Sequence, residues 1–310
     1  MNKIVKKLIL LLVIIIIIII GFIWFINHNI KENRENLIQR SLVSQPNKYK
    51  YKLVIVAIFK NEALAMREWL SHYMREGVEH FYMIDNGSTD NWQTEVVDYP
   101  VTIYSDSEPY KQVQHYNNYF LKEVKRNAEW VIILDLDEFM YVRKGYKNIP
   151  EYLDLVDKNV GFIEIKWKMF GSNSHKTQPK SIIKSFLHRK KMGTKHVDMN
   201  MNGNETKLDA LGKCIVKTNY LKNFDVHKCD MYDCDKIVFP TEFTEEKLLQ
   251  APIHINHYAI QSFDWFKSIK MSRGDSYGKN RNNTRNEKYF NYYDFKDIVD
   301  NELMLKNHYM

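Results

Sequence analysis

Two aspartates separated by one residue, Asp135 and Asp137, are the side chains in this sequence best suited to metal chemistry. They follow a short apolar run at residues 130–134, which predicts a buried strand. Carboxylates just past a strand end can both reach a hard cation such as Mg²⁺ or Mn²⁺. Such a cation also binds a diphosphate and neutralises its charge as it leaves. The pair alone is a weak signal, because a solvated acidic turn has the same composition.

The segments before this pair predict an alternating β/α arrangement. Residues 53–59 form a continuous β-branched run, residues 63–76 carry apolar side chains at helical spacing, and residues 80–84 form a second apolar run. Gly77 stands where a glycine that ends a helix belongs. This pattern predicts two parallel strands joined by a right-handed crossover helix.

Two further strands are predicted at residues 101–104 and 130–134, with a helix over residues 111–126 between them. Ligands of open α/β sheets bind at the carboxyl ends of the strands. The polar residues that fall at such ends are Asn61, Glu62, Asp85, Asp135 and Asp137. The sequence therefore predicts an α/β domain with a site at one edge of its sheet.

Several blocks of this sequence together resemble glycosyltransferase family 92 and the family 2-like glycosyltransferases. The blocks, in chain order, are residues 56–62 (VAIFKNE), 67–70 (REWL), 77–82 (GVEHFY), 85–90 (DNGSTD), 130–139 (ending DLDEF), 167–175 (WKMFGSNSH), 257–258 (HY) and 267–274 (KSIKMSRG). The resemblance covers about residues 51–275. Because the blocks follow the family's order, their combination is far more specific than any one of them.

The resemblance implies a GT-A fold, the Rossmann-like fold of nucleotide-diphospho-sugar transferases, with a mixed and mostly parallel sheet. It implies a hexosyltransferase that moves a sugar from a nucleotide-sugar donor to a glycan acceptor. Family 92 includes inverting galactosyltransferases, so UDP-galactose is the candidate donor and inversion is expected. The implied cofactor is Mn²⁺ or Mg²⁺.

The resemblance also implies roles for the metal and diphosphate site. Asp135 and Asp137 would hold the cation and the diphosphate of the donor, and Asp137 would be catalytic through that role. A histidine near the end of such a domain often completes the metal site. His257 is the first choice for that ligand, and His227 is the second.

The remaining implied contacts concern the nucleoside, the sugar and the acceptor. Asp85 would contact the uracil or ribose of the donor, with Asn61 and Glu62 nearby. Gly171 would border the donor sugar and the acceptor. Residues 192–211 are rich in Asn, Met and Lys, and we interpret them as a loop over the acceptor site.

An inverting transfer needs a general base that takes the proton of the acceptor hydroxyl. The sequence leaves its identity open among Glu164, His175, Asp198, Asp209 and Asp225. His175 is the first choice because it lies in one of the matching blocks. The alternative is a purely structural histidine.

The beginning of the chain predicts a membrane anchor. Residues 8–26 are an unbroken apolar run with seven consecutive isoleucines. That length matches the hydrocarbon core of a bilayer, and no small-residue cleavage site follows it, as a signal peptide would require. The lysines before the span favour a cytoplasmic amino terminus, which gives a single-pass type II protein. Its catalytic domain would face a Golgi-like lumen if the source is eukaryotic or viral.

The predicted organisation therefore has five parts. They are a cytoplasmic tail at residues 1–7, a transmembrane signal anchor at 8–26, a stem at 27–50, a catalytic domain at 51–275 and a carboxy-terminal extension at 276–310.

Charge and cysteine content narrow the possible partners. The formal net charge is +7, but basic and acidic residues are interleaved and no basic block or zinc-finger spacing occurs. Nucleic acid is therefore not expected as a partner. Cys229 and Cys234 are close enough in sequence to pair in an oxidising compartment, and three ordinary thiols are the alternative.

Two other functions are compatible with an α/β sheet of this kind. One is a catalytically inactive GT-A-fold protein that binds carbohydrate or acts as a membrane scaffold, against which the intact Asp135, Asp137 and His257 argue. The other is a dinucleotide or P-loop enzyme. The sequence lacks both glycine-rich phosphate-binding motifs of those enzymes, which argues against this class.

Overall fold

The computed structural model of the chain describes residues 48–143, 145–194, 208–273 and 285–308, together with Gly21 and Trp24. The chain divides into two compact units, Met1–Lys48 and Tyr49–Met310. The second unit contains the predicted site residues and the strands and helices that carry them.

The predicted membrane anchor at residues 8–26 lies outside the described residues, apart from Gly21 and Trp24. The predicted tail and most of the stem lie outside them as well. In the described part of the chain, no helix is both long and apolar enough to cross a bilayer. The anchor and its type II orientation therefore stay predictions.

The first four strands are parallel and lie in the order β3-β2-β1-β4. They are β1 (Tyr51–Phe59), β2 (His80–Asp85), β3 (Val101–Ser105) and β4 (Ala128–Leu134). The apolar runs of β1, β2 and β4 are buried, as expected for parallel strands that are covered on both faces. All four predicted strands are confirmed, and their ends differ from the predicted ends by at most two residues.

The rest of the sheet is mixed. Its strands are β5 (Glu138–Val142), β6 (Val160–Met169), β8 (Gly212–Lys217), β11 (Asp235–Phe239) and β12 (Ile253–His257). Strand β8 pairs antiparallel with β4 and β6, β6 pairs parallel with β11 and β12, and β12 pairs antiparallel with β5. Among the described residues, five of the eight pairings in this sheet are parallel. The predicted mixed, mostly parallel α/β sheet is therefore confirmed.

Two short antiparallel pairs lie outside the main sheet. They join β7 (His188–Arg189) to β13 (Ile298–Val299) and β9 (Leu221–Asn223) to β10 (Asp230–Met231).

Short helical segments connect and cover the strands. The α-helices are α1 (Ala63–Arg75), α2 (Gln112–His115), α3 (Leu121–Asn127), α4 (Ile149–Asp154), α5 (Ile182–Ser185), α6 (Glu245–Gln250), α7 (Phe263–Trp265), α8 (Met271–Arg273), α9 (Glu287–Tyr293) and α10 (Glu302–His308). π-Helical turns join α2 to α3 (Tyr116–Phe120) and α7 to α8 (Phe266–Lys270), and 3₁₀ turns cover Trp92–Glu95, Leu208–Ala210 and Thr218–Tyr220.

Helix α1 has a clear sequence cause and a role near the site. Trp69 and Tyr73 recur one helical turn apart and are fully buried in the main core. The Trp69 indole and the Tyr73 hydroxyl both donate to the Glu138 carbonyl oxygen, each at 3.0 Å. Gly77 follows the helix with φ +85°, as predicted from its position. The helix thus fixes the start of β5, which adjoins the two aspartates.

The described part of the carboxy-terminal extension packs into the same unit. Phe295 and Leu303 are buried in the main core. Asp300 Oδ2 accepts from Lys168 Nζ at 2.9 Å and from Arg189 Nε at 2.6 Å. Lys168 and Arg189 are almost completely buried, so this segment supplies a counter-charge that the sheet needs.

The cysteines of the described residues are all free. The suggested pairing of Cys229 with Cys234 is not formed. Cys214 and Cys229 are buried, and Cys234 is partly exposed.

Candidate active site

The turn between β4 and β5 carries the two aspartates. Because β4 ends at Leu134 and β5 begins at Glu138, Asp135 and Asp137 stand at the carboxyl end of a central strand. Leu136 between them is buried in the main core and holds the turn in place. Both aspartates line a cavity of about 370 Å³.

Asp137 is fully buried, and two basic side chains reach it from the carboxy-terminal half of the domain. The Lys270 ammonium donates to Oδ2, and His257 Nε2 lies 3.5 Å from Oδ1. Oδ1 accepts no hydrogen bond from the described residues. Burial acts to raise the pKa of Asp137, but Lys270 and His257 outweigh it and hold that pKa well below its usual range. Asp137 is therefore ionised and keeps one oxygen for a further positive ligand.

Asp135 is partly exposed and is held by Lys213, whose side chain is completely buried. Lys213 Nζ lies 3.0 Å from Asp135 Oδ2 and 3.4 Å from Glu138 Oε2. Burial acts to raise the pKa of Asp135, but the Lys213 charge outweighs burial and the pKa is lowered. Burial raises the pKa of Glu138 well above its usual range. Asp135 therefore carries a negative charge that Lys213 balances.

One wall of the cavity consists of three rings from β6, β12 and the segment after β9. The Trp167 ring lies 4.3 Å from His257 and 5.3 Å from His227, measured between ring centroids. His257 Nδ1 has no hydrogen-bond partner among the described residues. Burial lowers the pKa of His227, which favours its neutral form. Both histidines thus line the same cavity as the aspartates, and their predicted roles as metal ligands stay predictions.

The loops after β1 and β2 bring three polar residues to the same cavity, Lys60, Glu62 and Asn86. Glu62 Oε1 accepts from Arg273 Nη2 at 2.8 Å. Asn86 Nδ2 donates to the Asp106 carbonyl oxygen at 2.7 Å. Glu62 is thus placed at the cavity, where a donor contact was predicted for it.

Asn61 and Asp85 are used to hold these two loops together and do not line the cavity. Asn61 Oδ1 accepts from the Thr89 N–H at 2.7 Å. Asp85 accepts from the Ser88 N–H at 2.8 Å and from the Ser105 hydroxyl at 3.3 Å. Each lies next in sequence to a cavity residue, so their predicted nucleoside contacts stay predictions.

The structure does not bring Gly171 or His175 to the cavity. Gly171 faces the carboxy-terminal segment so closely that a Cβ there would lie 2.2 Å from the Phe295 carbonyl oxygen. His175 Nε2 lies 3.2 Å from the Ser185 carbonyl oxygen, which turns the ring toward α5. This placement gives no support to a role for either residue at the donor or the acceptor.

The other candidates for the general base are also occupied elsewhere. Glu164 and Asp209 each form an ion pair with a lysine, and Asp225 accepts a hydrogen bond from the backbone two residues on. None of these three lines the cavity. Asp198 lies outside the described residues. The placement therefore singles out no base among the predicted candidates.

Lys270 and Arg273 line the cavity, although the sequence alone assigns no role to either residue. Lys270 ends the π-helical turn Phe266–Lys270, and Arg273 follows one turn later in α8. The last matching block contained both, so a signal was present. Tyr289 and Tyr293 of α9 also line the cavity, although they fall in the predicted extension.

The predicted metal ligands are compatible with a divalent cation in chemistry but are not arranged as a chelate. Among the described residues, no three His, Cys, Asp or Glu side chains form a group that could hold a metal ion. Asp137 Oδ1 accepts no hydrogen bond from the described residues, and His257 Nε2 lies 3.5 Å from it, so one oxygen and one nitrogen that can bind a metal stand close together. Asp135 faces the same cavity. This donor set suits Mn²⁺ or Mg²⁺.

The fold and the cavity define an α/β protein with a charged site at the carboxyl ends of its parallel strands. The chain belongs to glycosyltransferase family 92, whose family model matches residues 55–301. The resemblance stated from the sequence is thereby confirmed.

Curated relatives carry the same family name. A glycosyltransferase family 92 protein of Oryza sativa subsp. japonica is 23% identical over 236 residues, which are 73% of this chain and 36% of the relative. One of Ricinus communis is 29% identical over 109 residues, which are 33% of this chain and 18% of the relative. Because the chain spans 36% or less of these relatives, the activity of those whole proteins comes to this chain only as a proposal.

Two solved structures show a weak likeness. Glucosyl-3-phosphoglycerate synthase from Mycobacterium tuberculosis, in complex with Mn²⁺, UDP and glucosyl-3-phosphoglycerate, has a TM-score of 0.28 and 12% identity over 55% of this chain and 58% of that chain. UDP-glucose pyrophosphorylase complexed with UDP-glucose has a TM-score of 0.25 and 7% identity over 67% and 90%. TM-scores this low carry no argument about this chain.

Proposed function

We propose that the protein is a glycosyltransferase with a GT-A fold. It moves a hexose from a UDP-linked nucleotide-sugar donor to a hydroxyl of a glycan acceptor, with inversion at the anomeric carbon. Galactose is the candidate sugar. Membership of glycosyltransferase family 92 supports the reaction class.

One observation carries the proposal more than any other. Asp135 and Asp137 meet His257 in one cavity at the carboxyl ends of the parallel strands. That edge is where open α/β sheets bind their ligands. A cavity of about 370 Å³ is large enough for a small ligand such as a nucleotide sugar.

Asp135, Asp137 and His257 would hold Mn²⁺ or Mg²⁺. When bound, the cation would neutralise charge on the departing nucleoside diphosphate. The Asp137 Oδ1 atom is buried and has no hydrogen-bond partner among the described residues, which supports this assignment, since buried polar atoms without partners are uncommon. The lysines on the other carboxylate oxygens orient both aspartates.

The protein's own groups have separate tasks in the transfer. The bond between the anomeric carbon and the diphosphate oxygen breaks, and a bond to the acceptor oxygen forms. The acceptor hydroxyl gives its proton to a base that must reach the cavity. Trp167, Tyr289 and Tyr293 give the cavity an aromatic lining.

We also propose that the protein is a single-pass type II membrane protein, anchored by residues 8–26. The uniform apolar character of that run supports the anchor. A Golgi-like lumen supplies nucleotide sugars, which suits a catalytic domain beyond the membrane.

The test uses the full chain in detergent with a panel of UDP- and GDP-linked sugars and glycan acceptors. We expect release of the nucleoside diphosphate with one donor, formation of a product with inverted anomeric configuration by NMR, and loss of turnover with a chelator. Binding of a donor without any turnover would favour the inactive scaffold instead. No binding of any nucleotide sugar would overturn the proposal.

A further inference from the structure

A further wall of the cavity is the β3–α2 loop, residues 106–111. Three residues of this loop line the cavity, Pro109, Tyr110 and Lys111. Gln112, the first residue of α2, also lines it, and its Nε2 donates to Asp135 Oδ1 at 3.4 Å. The loop therefore reaches from β3 to one of the two aspartates, and its position decides how wide the cavity is on this side.

Tyr110 holds this loop in a backbone conformation that tyrosine rarely adopts. Its φ is +62°, in the left-handed region that favours glycine. The side chain is 40% exposed, so burial of the ring does not account for this conformation. Such strain persists only where neighbouring contacts fix the backbone, and it clusters at functional sites. The contacts that fix the loop are therefore the ones to identify.

The backbone carbonyl of Glu108, two residues before Tyr110, is held by two side chains from different elements. His115 Nε2, at the end of α2, donates to this oxygen at 3.1 Å. Asn86 Nδ2, in the loop after β2, donates to the same oxygen at 3.1 Å and to the Asp106 carbonyl oxygen at 2.7 Å. The first half of the loop is thus fixed through its own backbone.

His115 contacts the loop at a second point as well. Its Nδ1 lies 3.3 Å from Asp106 Oδ2, which also accepts from the Tyr119 hydroxyl at 2.8 Å. Asp106 Oδ1 accepts from the Glu108 N–H at 3.0 Å. The His115 ring is buried, so both of its nitrogens depend on these partners in the loop.

We infer that His115 is a positioning residue of the cavity, which holds the Glu108 carbonyl and thereby keeps the strained β3–α2 loop in the conformation that binds the nucleotide-sugar donor. This inference rests on the proposed function. His115 does not itself line the cavity, so it acts on a ligand only through the loop. Without the Nε2 donor, the Glu108 carbonyl loses one of its two donors, and the strain at Tyr110 favours movement of the loop.

The test compares H115N with H115Q in the full-length protein. The amide nitrogen of glutamine reaches the position of Nε2, whereas that of asparagine reaches the position of Nδ1. We expect H115N to weaken the binding of UDP, measured by calorimetry, about fivefold, the factor that corresponds to one lost hydrogen bond. H115Q keeps a donor for the Glu108 carbonyl, so its dissociation constant should stay close to that of the wild type.

Hydrogen exchange of the unliganded protein is the second measurement, and it needs no ligand. We expect H115N to speed exchange in residues 106–112 and to leave exchange in β1 unchanged. If H115N fails to fold, D106N removes charge from the other partner of His115. Asp106 does not line the cavity either, so D106N should also speed exchange in the loop and weaken UDP binding.

The matched control is H80N. His80 Nε2 lies 2.8 Å from Thr102 Oγ1, so this histidine also connects β2 to the β3 side of the sheet, but it does not line the cavity or contact the loop. H80N should keep the wild-type affinity for UDP and the wild-type exchange in residues 106–112.

The outcomes separate the inference from the proposed function. If the wild type binds UDP and H115N binds it equally well, or if H115N and H115Q lose affinity equally, the inference is wrong and the proposed function is untouched. Weaker UDP binding without faster exchange in the loop also overturns the inference. If the wild type binds no nucleoside diphosphate at all, the proposed function fails, and the inference fails with it.

Discussion

The ammonium group of Lys213 lies 3.0 Å from Asp135 Oδ2, and the lysine side chain is completely buried. A buried cation of this kind is tolerated only with its anion in place. Burial acts to lower the pKa of Lys213, but Asp135 and Glu138 outweigh it and raise that pKa above its usual range. Lys213 is thus charged, and it ties β8 to the turn that carries both aspartates.

We therefore expect K213M to lower the free energy of unfolding by about 1–3 kcal/mol, because Asp135 and the Val226 carbonyl oxygen both lose the group that donates to them. Urea denaturation followed by circular dichroism measures this. The control is K217M on the same strand, where Lys217 is partly exposed and lies 3.9 Å from Glu129. That variant should lose no more than about 1 kcal/mol. Equal losses in both variants would contradict a special role for Lys213.

A second prediction concerns stability at acid pH. Burial acts to raise the pKa of Asp300, but Lys168 and Arg189 outweigh it and lower that pKa to about 2. Because the folded value lies below the unfolded one, the stabilisation is complete above about pH 4 and is lost as the pH falls toward 2. The stability difference between wild type and D300N should therefore narrow by about 1 kcal/mol between about pH 5 and pH 3.

Urea denaturation of the wild type and D300N at several pH values measures how their difference in stability changes with pH. The control is D233N, since Asp233 is exposed and belongs to no ion pair among the described residues. Its stability should follow the wild type at every pH. If the difference in unfolding free energy between wild type and D300N is the same at every pH, Asp300 does not cause the loss of stability at acid pH.

The sequence predicts the parallel half of this fold well, for a physical reason. Residues 53–59 and 130–134 are continuous apolar runs, and the polar residues after them mark the strand ends. Because these patterns depend only on neighbouring residues, the strands can be predicted without knowledge of the rest of the chain. The position of Asp135 and Asp137 at one sheet edge follows from the same signals.

The partners of these aspartates could not be predicted from local patterns. Lys213 and Lys270 are 78 and 133 residues away from the aspartates they contact. The pairing of β8 with β4 places Lys213, and a π-helical turn places Lys270. Neither the strand pairing nor the π-helical turn can be predicted from the spacing of apolar residues in the sequence. Gly171 shows the same limit, since its neighbour Phe295 lies in a segment with no predicted link to it.

A third prediction concerns Gly171, and it distinguishes a structural role of this residue from a contact with the donor sugar. A Cβ at this position would lie 2.2 Å from the Phe295 carbonyl oxygen, so G171A must push the carboxy-terminal segment away. We expect the variant to lose about 1–3 kcal/mol of stability, as overpacked sites do. Hydrogen exchange should rise in residues 285–308. Unchanged stability together with weaker donor binding would instead support the sugar contact predicted from the sequence.

The last prediction concerns Asp137, whose free Oδ1 faces His257 Nε2 at 3.5 Å. D137N keeps the shape of the side chain and removes its charge, so a cation there loses a ligand and the diphosphate leaves with less neutralisation. We expect turnover to fall by about a hundredfold or more, which corresponds to about 2.7 kcal/mol of transition-state stabilisation. The melting temperature should also fall somewhat, because Lys270 stays buried without its anion.

Mn²⁺ with UDP should raise the melting temperature of the wild type and raise that of D137N much less, since only bound ligand stabilises the folded state. D264N, which alters an exposed carboxylate at the start of α7, serves as the control and should behave like the wild type. Near-normal turnover of D137N, with an undiminished response to Mn²⁺ and UDP, would show that Asp137 is not a metal ligand.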